Sequence, residues 1–123
     1  MSDKQIAHDL NTFFVAGHET TAGALHSAIH ALAMNQIAQD KLRNEIVTQC
    51  GTLEPTYDDI RNMEYLDFCI KETLRLYPPA GVVSRSVLKD IKIGDIQLGK
   101  GTLIILNTYL IHRDESFWGI DAE

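Results

Sequence analysis

Six consecutive residues, Ala16-Gly17-His18-Glu19-Thr20-Thr21, set two nearly side-chain-free positions beside a carboxylate and two hydroxyls. The surrounding periodicity predicts a long helix, and a helix interior is a costly place for this set. Gly loses about 1 kcal/mol against Ala there. Adjacent threonines crowd the preceding turn and compete for its carbonyls. A helix that accepts both gives up stability to let something come close and to present polar atoms to it, as functional sites tend to do. Residue by residue there is a plainer account: Thr20 bonded back to the carbonyl four residues earlier, and Glu19 solvated. Beside Ala16-Gly17, that account is the weaker one.

A second pair, Glu72 and Arg75, stands three apart and so shares a helix face. Alone, it would be a surface ion pair worth a few tenths of a kcal/mol. Leu76-Tyr77-Pro78-Pro79 follows directly and fixes the helix end beside it. Other chemistries are weaker. His18-Glu19-Thr20-Thr21-Ala22 departs from the zinc-protease pattern at its fifth position, where Ala22 replaces the second His. His26 and His30 are i,i+4 and could chelate a metal, but no third ligand is near. A small metal-binding helical module is therefore a weak alternative. Cys50 and Cys69 suggest neither a disulfide scaffold nor a zinc ribbon and read as reduced, partly buried thiols. Gly-rich phosphate loops and a Gly-x-Ser-x-Gly elbow are absent.

The elements that must position these groups follow from pattern. Residues from about Asp3 to Met34 read as one helix, with Ile6, Leu10, Phe13, Gly17, Thr20 and Ala24 on one stripe, continued by Leu25, Ala28, Ile29 and Leu32. A second helix runs from about Ile37 to Cys50, with Lys41 and Glu45 as an i,i+4 pair and Gly51 as its end. Thr56-Tyr57-Asp58-Asp59 resembles a capping box. A third full helix covers about 63–77, stopped by Pro78-Pro79. A strand cluster follows over about 82–107. It holds Val82–Val87, a hairpin of Ile91-Lys92-Ile93 and Ile96-Gln97-Leu98 turning at Gly94-Asp95, and a short buried strand over Thr102–Asn107. The tail from Tyr109 to Glu123 reads as irregular or briefly helical. The fold class is mainly α with a small β cluster, an α+β texture.

Composition narrows the partners. The 123 residues carry 11 basic and 17 acidic side chains, a formal charge of −6, and are 45% apolar. That apolar share fits a globular chain. No basic cluster stands out, so nucleic acid is not expected as a partner. Met1-Ser2-Asp3-Lys4-Gln5 is polar and reads as no secretory signal. The longest apolar runs are too short for a membrane segment within this chain. Apolar groups in Ser116-Phe117-Trp118-Gly119-Ile120 still need cover, which suggests a fragment.

Three motifs in register carry a resemblance over nearly the whole chain. Ala16-Gly17-x-Glu19-Thr20-Thr21, then Lys71-Glu72-Thr73-Leu74-Arg75-Leu76-Tyr77-Pro78-Pro79, then His112-Arg113-Asp114 with Trp118-Gly119, resemble the C-terminal half of a cytochrome P450. The resemblance implies a partial cytochrome P450 domain over 1–123, with a central distal helix, the Glu-x-x-Arg helix and a strand cluster. It implies haem as cofactor of the full-length enzyme, a haem-thiolate monooxygenase that inserts one atom of dioxygen into an organic substrate. Ala16 and Gly17 would leave a groove for dioxygen. Thr20 would hydrogen-bond it, and Glu19 would relay protons as a general acid. Thr12 and Ala16 would border the substrate, as would Ala80, Gly81, Val82 and Val83. Arg85 would pair with a haem propionate. Glu72 and Arg75 would form a buried structural ion pair. Partners would be an electron-donating reductase and a small apolar organic substrate. The full-length enzyme would sit at the endoplasmic reticulum membrane, as microsomal eukaryotic members do.

One family element has no match. The iron ligand sits in a Phe-x-x-Gly-x-Arg-x-Cys loop. Ahead of Cys50 those places hold Arg43, Ile46 and Thr48; ahead of Cys69 they hold Asn62, Tyr65 and Asp67. The Cys ligand is therefore expected to be absent from this chain. A non-catalytic, truncated product unable to ligate haem iron is the competing expectation.

Overall fold

Ser2 opens the first helix by accepting a hydrogen bond from the N–H of Gln5, and the helix then runs unbroken to Met34. The computed structural model describes residues 1–51 and 53–122. Its elements are α1 (Asp3–Met34), α2 (Gln36–Cys50), α3 (Tyr57–Arg61), α4 (Glu64–Leu76), β1 (Val82–Ser86), β2 (Ile91–Ile93), β3 (Ile96–Leu98), β4 (Leu103–Asn107), α5 (Thr108–Ile111) and α6 (Glu115–Trp118). The fold is thus mainly helical with a small strand cluster. The chain divides into two compact units, Met1–Pro79 and Ala80–Glu123.

In the first unit α1, α2 and α4 pack on one another. Asn35 is the only residue between α1 and α2, and it serves both. Its N–H bonds back to Ala31, and its side chain caps α2 by accepting from the N–H of Ala38. Gly51, at φ +60°, ends α2, a backbone state that costs Gly little. The capping box at α3 forms in full, with Thr56 and Asp59 satisfying each other's backbone N–H.

Two expectations about packing are corrected. The half-buried stripe of α1 is Gly23, Ala24, Ser27, Ala28, Ala31 and Leu32, whose mostly small side chains let neighbouring helices approach. Leu25 and Ile29 lie outside it, 60% and 69% exposed. Lys41 and Glu45 do not form the i,i+4 pair. Met63 gives α4 no side-chain cap, and Glu45 supplies one from α2 instead. Its two carboxylate oxygens accept from the N–H groups of Tyr65 at 2.8 Å and Leu66 at 2.9 Å. Unpaired N–H groups and the positive end of the helix dipole attract the carboxylate more than a solvated ammonium does. Lys41 lies over the Tyr65 ring, 4.2 Å from its centroid.

This contact carries a prediction. Glu45→Ala removes two charge-assisted bonds and should lower unfolding stability of the whole protein by about 1–3 kcal/mol. Glu45→Gln, with one oxygen left, should fall between. Denaturant unfolding measures both, and an unchanged Glu45→Ala variant would remove the cap from the account.

In the second unit β1 pairs antiparallel with β4, from Val82↔Asn107 to Ser86↔Leu103. Backbone bonds between Val87 and Thr102, and between Gly101 and Val87, prolong the contact. β2 and β3 form the hairpin, with Ile93 opposite Ile96. Gly94 takes φ +57° at the first turn position, as a II′-type turn requires. β4 was expected to be buried, but Leu103 and Ile105 are largely exposed. A two-stranded sheet covers neither of its faces by itself, so an apolar strand alone does not produce burial.

Candidate functional site

The hexapeptide lies mid-way along α1, exposed on every residue from Thr12 to Thr21. Thr12, Ala16 and Thr20 recur at intervals of four and share a face. The Thr20 hydroxyl donates to the carbonyl of Ala16 at 2.9 Å, and Thr12 does the same to His8 at 2.9 Å. The back-bond that the sequence made the lesser account is the one that forms. The acceptor four residues back is the nearest partner such a hydroxyl can reach. The bond uses the single hydroxyl proton and leaves the oxygen's lone pairs to accept. Among the described residues, its two chain neighbours apart, no side chain and no heavy atom of another element lies within 4 Å of where a Cβ would sit on Gly17. Glu19 is exposed one step round the helix. His18 stacks on Phe14, 5.9 Å between centroids.

On α4, Arg75 and Glu72 meet in a two-pronged bond: Nε to Oε2 at 2.7 Å and Nη2 to Oε1 at 2.6 Å. The pair is lopsided. Arg75 is buried, at 9% exposed, whereas the Glu72 side chain is 56% exposed. The hydrogen bonds from Arg75 hold the Glu72 carboxyl below its ordinary pKa. In return Glu72 raises Arg75 above its own. Thr73 beside them is buried and donates to the carbonyl of Cys69 at 2.7 Å. An open groove of about 470 Å³ runs past Ala31, Ala38, Tyr65, Cys69 and Glu72. None of Ala16, Gly17, Glu19 or Thr20 lines it.

In the second unit β1 alternates its side chains. Val83 and Arg85 fall on one face, Val82 and Ser84 on the other. Arg85 stays exposed and turns one N–H, at Nη1, onto the Ser84 carbonyl at 2.8 Å. Two partners for Ala80 and Gly81 were missed by sequence reasoning. The Thr108 hydroxyl donates to the Ala80 carbonyl at 2.9 Å, and the N–H of Tyr109 donates to that of Gly81 at 3.2 Å. No sequence pattern signals a contact across 28 residues. The His112-Arg113-Asp114 and Trp118-Gly119 segment builds structure. Asp114 caps α6 through Ser116, whose hydrogen bonds hold its carboxyl below the usual range. The Trp118 indole N–H donates to the Ile111 carbonyl. Arg113 lies 3.9 Å from the Tyr109 ring centroid.

A haem group needs an iron ligand, a cation for its carboxylates and an open wall on its oxygen side. The exposed Arg85 fork suits a carboxylate, and the bare Ala16-Gly17 surface suits the wall. Both cysteines lie in helices, Cys50 as the last residue of α2 and Cys69 within α4, and neither thiol is pre-activated as a thiolate. A ready thiolate is favoured where the thiol pKa is depressed. Burial raises the pKa of Cys69, and raises that of Cys50 with help from Asp59. Each unit taken by itself thus offers one feature a haem group would use, an open surface at Ala16-Gly17 in the first and a carboxylate partner at Arg85 in the second. Among the described residues no three His, Cys, Asp or Glu side chains are grouped to hold a metal ion.

Comparison with known proteins adds a common pattern. The family model described as Cytochrome P450 matches residues 1–123. Cytochrome P450 709B1 of Arabidopsis thaliana is 36% identical over 124 residues, covering 100% of this chain and 24% of its own length. Cytochrome P450 3A13 of Mus musculus is 40% identical over 119 residues, covering 96% and 24%. Cytochrome P450 3A5 of Homo sapiens is 37% identical over the same shares. The chain spans about a quarter of the length of these curated relatives.

Proposed function

From the premise that the chain belongs to the cytochrome P450 family, we propose that it supplies the oxygen-side helix and the Glu-x-x-Arg helix of a haem-dependent monooxygenase. Full-length members use haem, which when bound supplies the redox chemistry that activates dioxygen. The observation that carries the reading is the Thr12-Ala16-Thr20 face of α1, with its open surface at Gly17 and a polar hydroxyl one turn on. There Ala16 and Gly17 leave room for a diatomic molecule. Thr20 turns its proton from the Ala16 carbonyl toward that molecule, and Glu19 exchanges protons with solvent.

The remaining residues bind and orient. Ala80, Gly81, Val82 and Val83 give a small apolar surface suited to an organic substrate, as does Thr12 on α1. Arg85 holds a cofactor carboxylate. Glu72 and Arg75 brace α4. The whole enzyme takes electrons from a reductase and sits at the endoplasmic reticulum membrane. Among the described residues no helix is long and apolar enough to cross a membrane. The two cysteines favour a second statement: this 123-residue chain does not hold haem iron by itself. Carbon-monoxide difference spectra test both. The whole protein should show the thiolate-type band and the 123-residue chain mixed with haemin should not. A whole protein without the band would sink the first statement, and a band from the chain alone would sink the second.

A further inference from the structure

The stretch from Ala80 to Val83 starts where backbone pairing is scarce. Pro78 and Pro79 have no N–H to give, and the β1–β4 pairing begins only at Val82↔Asn107. The carbonyls of Ala80 and Gly81 lie outside it, yet each is satisfied from the start of α5. The Tyr109 contribution is a first-turn N–H with no partner inside its helix, so no side-chain change removes it. The Thr108 contribution is a hydroxyl, at 2.9 Å from the Ala80 carbonyl, on a half-buried residue. Its neighbour Asn107 is already engaged, with its side chain accepting from the N–H of Leu110 at 3.1 Å. Val83 is backed across the sheet by Leu106, and directly opposite residues share a face. The start of the stretch is thus held from α5 and not by the sheet, and among the described residues Thr108 is the side chain bonded to it.

We propose that Thr108 is a positioning residue for substrate selection. Its hydroxyl fixes the Ala80 carbonyl and so the path of the Ala80–Val83 backbone. With a methyl at Ala80 and no side chain at Gly81, the surface offered to a substrate is set by where the backbone runs. This rests on the reading of Ala80–Val83 as substrate-contacting. The substrate class it selects is small apolar organic molecules, graded by length.

The test uses the haem-loaded whole protein and a series of 1-alkylimidazoles, methyl to octyl, titrated by their Soret shift. Thr108→Val keeps the shape and loses the donor. It should weaken octyl binding about threefold to tenfold relative to methyl, the worth of one neutral hydrogen bond. Thr108→Ser should restore the original length dependence. Thr108→Ala carries the same comparison should the Val variant lack haem. Val83→Ala serves as reference. If it changes the length dependence and the Thr108 variants do not, the positioning role is wrong and the reading stands. If Val83→Ala also changes nothing, the substrate-contacting reading fails and the positioning role falls with it. Val and Ser variants that behave alike also overturn the proposal.

Discussion

Replacement of Arg75 by Ala is expected to leave the whole protein without haem. Arg75 is buried and holds both oxygens of Glu72 through a planar fork. Ala deletes that fork and its packed stem near the end of α4, and opens a void that neighbours fill only in part. The Glu72 side chain is 56% exposed, so its own carboxylate rehydrates at little cost. The loss is therefore one of packing and bonding at Arg75 more than of stranded charge at Glu72. Glu72→Ala instead takes both prongs of that bond from a buried cation. A fully buried pair broken in that sense costs about 3–5 kcal/mol, and the exposure of Glu72 reduces that figure here. Arg75→Lys keeps the charge without the fork and should fall between wild type and Arg75→Ala. Cofactor capture accompanies folding, so a loosened α4 registers as missing haem. The haem-to-protein ratio from pyridine haemochrome spectra measures this. A full ratio in Arg75→Ala would remove the pair from any role in assembly.

The features readable from sequence share one property: their causes are local. Gly51 ends α2, Thr56 and Asp59 satisfy each other within one turn, and Gly94-Asp95 turns a hairpin between adjacent strands. The Glu72–Arg75 bond is of the same kind, and spacing alone puts the two on one face. What stayed hidden depends on residues distant in the chain. Glu45 has a good local partner in Lys41 and forgoes it for N–H groups 20 and 21 residues on. Thr108 reaches Ala80 across 28 residues. The exposure of Leu103 and Ile105 is hidden for a related reason, since an apolar strand is buried only where another layer covers it. Thr20 is the instructive exception. Its back-bond is local and was foreseeable, and it lost to a functional argument that the bond does not contradict.

That compatibility yields the sharpest test of the oxygen-side reading. Thr20→Val should cut product formed per dioxygen consumed by about tenfold or more, within the range for loss of a positioned proton donor. Stability should change by less than about 0.5 kcal/mol, as for exposed positions generally. The two effects separate because the hydroxyl does different things in each setting. At rest it donates to Ala16, whose carbonyl remains available to the helix's own backbone bonding, and such back-bonds stabilise a helix little. Val fills the same volume, and its branched side chain has one favoured rotamer in a helix. The fold therefore has little reason to register the change. In the proposed turnover the same proton would be needed at dioxygen, and Val has none to give. Electrons from the reductase should then leave as hydrogen peroxide, two electrons and two protons per dioxygen, in place of product. Thr20→Ser should recover most of the product yield. Peroxide, product and dioxygen measured together decide the matter. Thr20→Val with the wild-type ratio of product to dioxygen would confine Thr20 to its bond with Ala16.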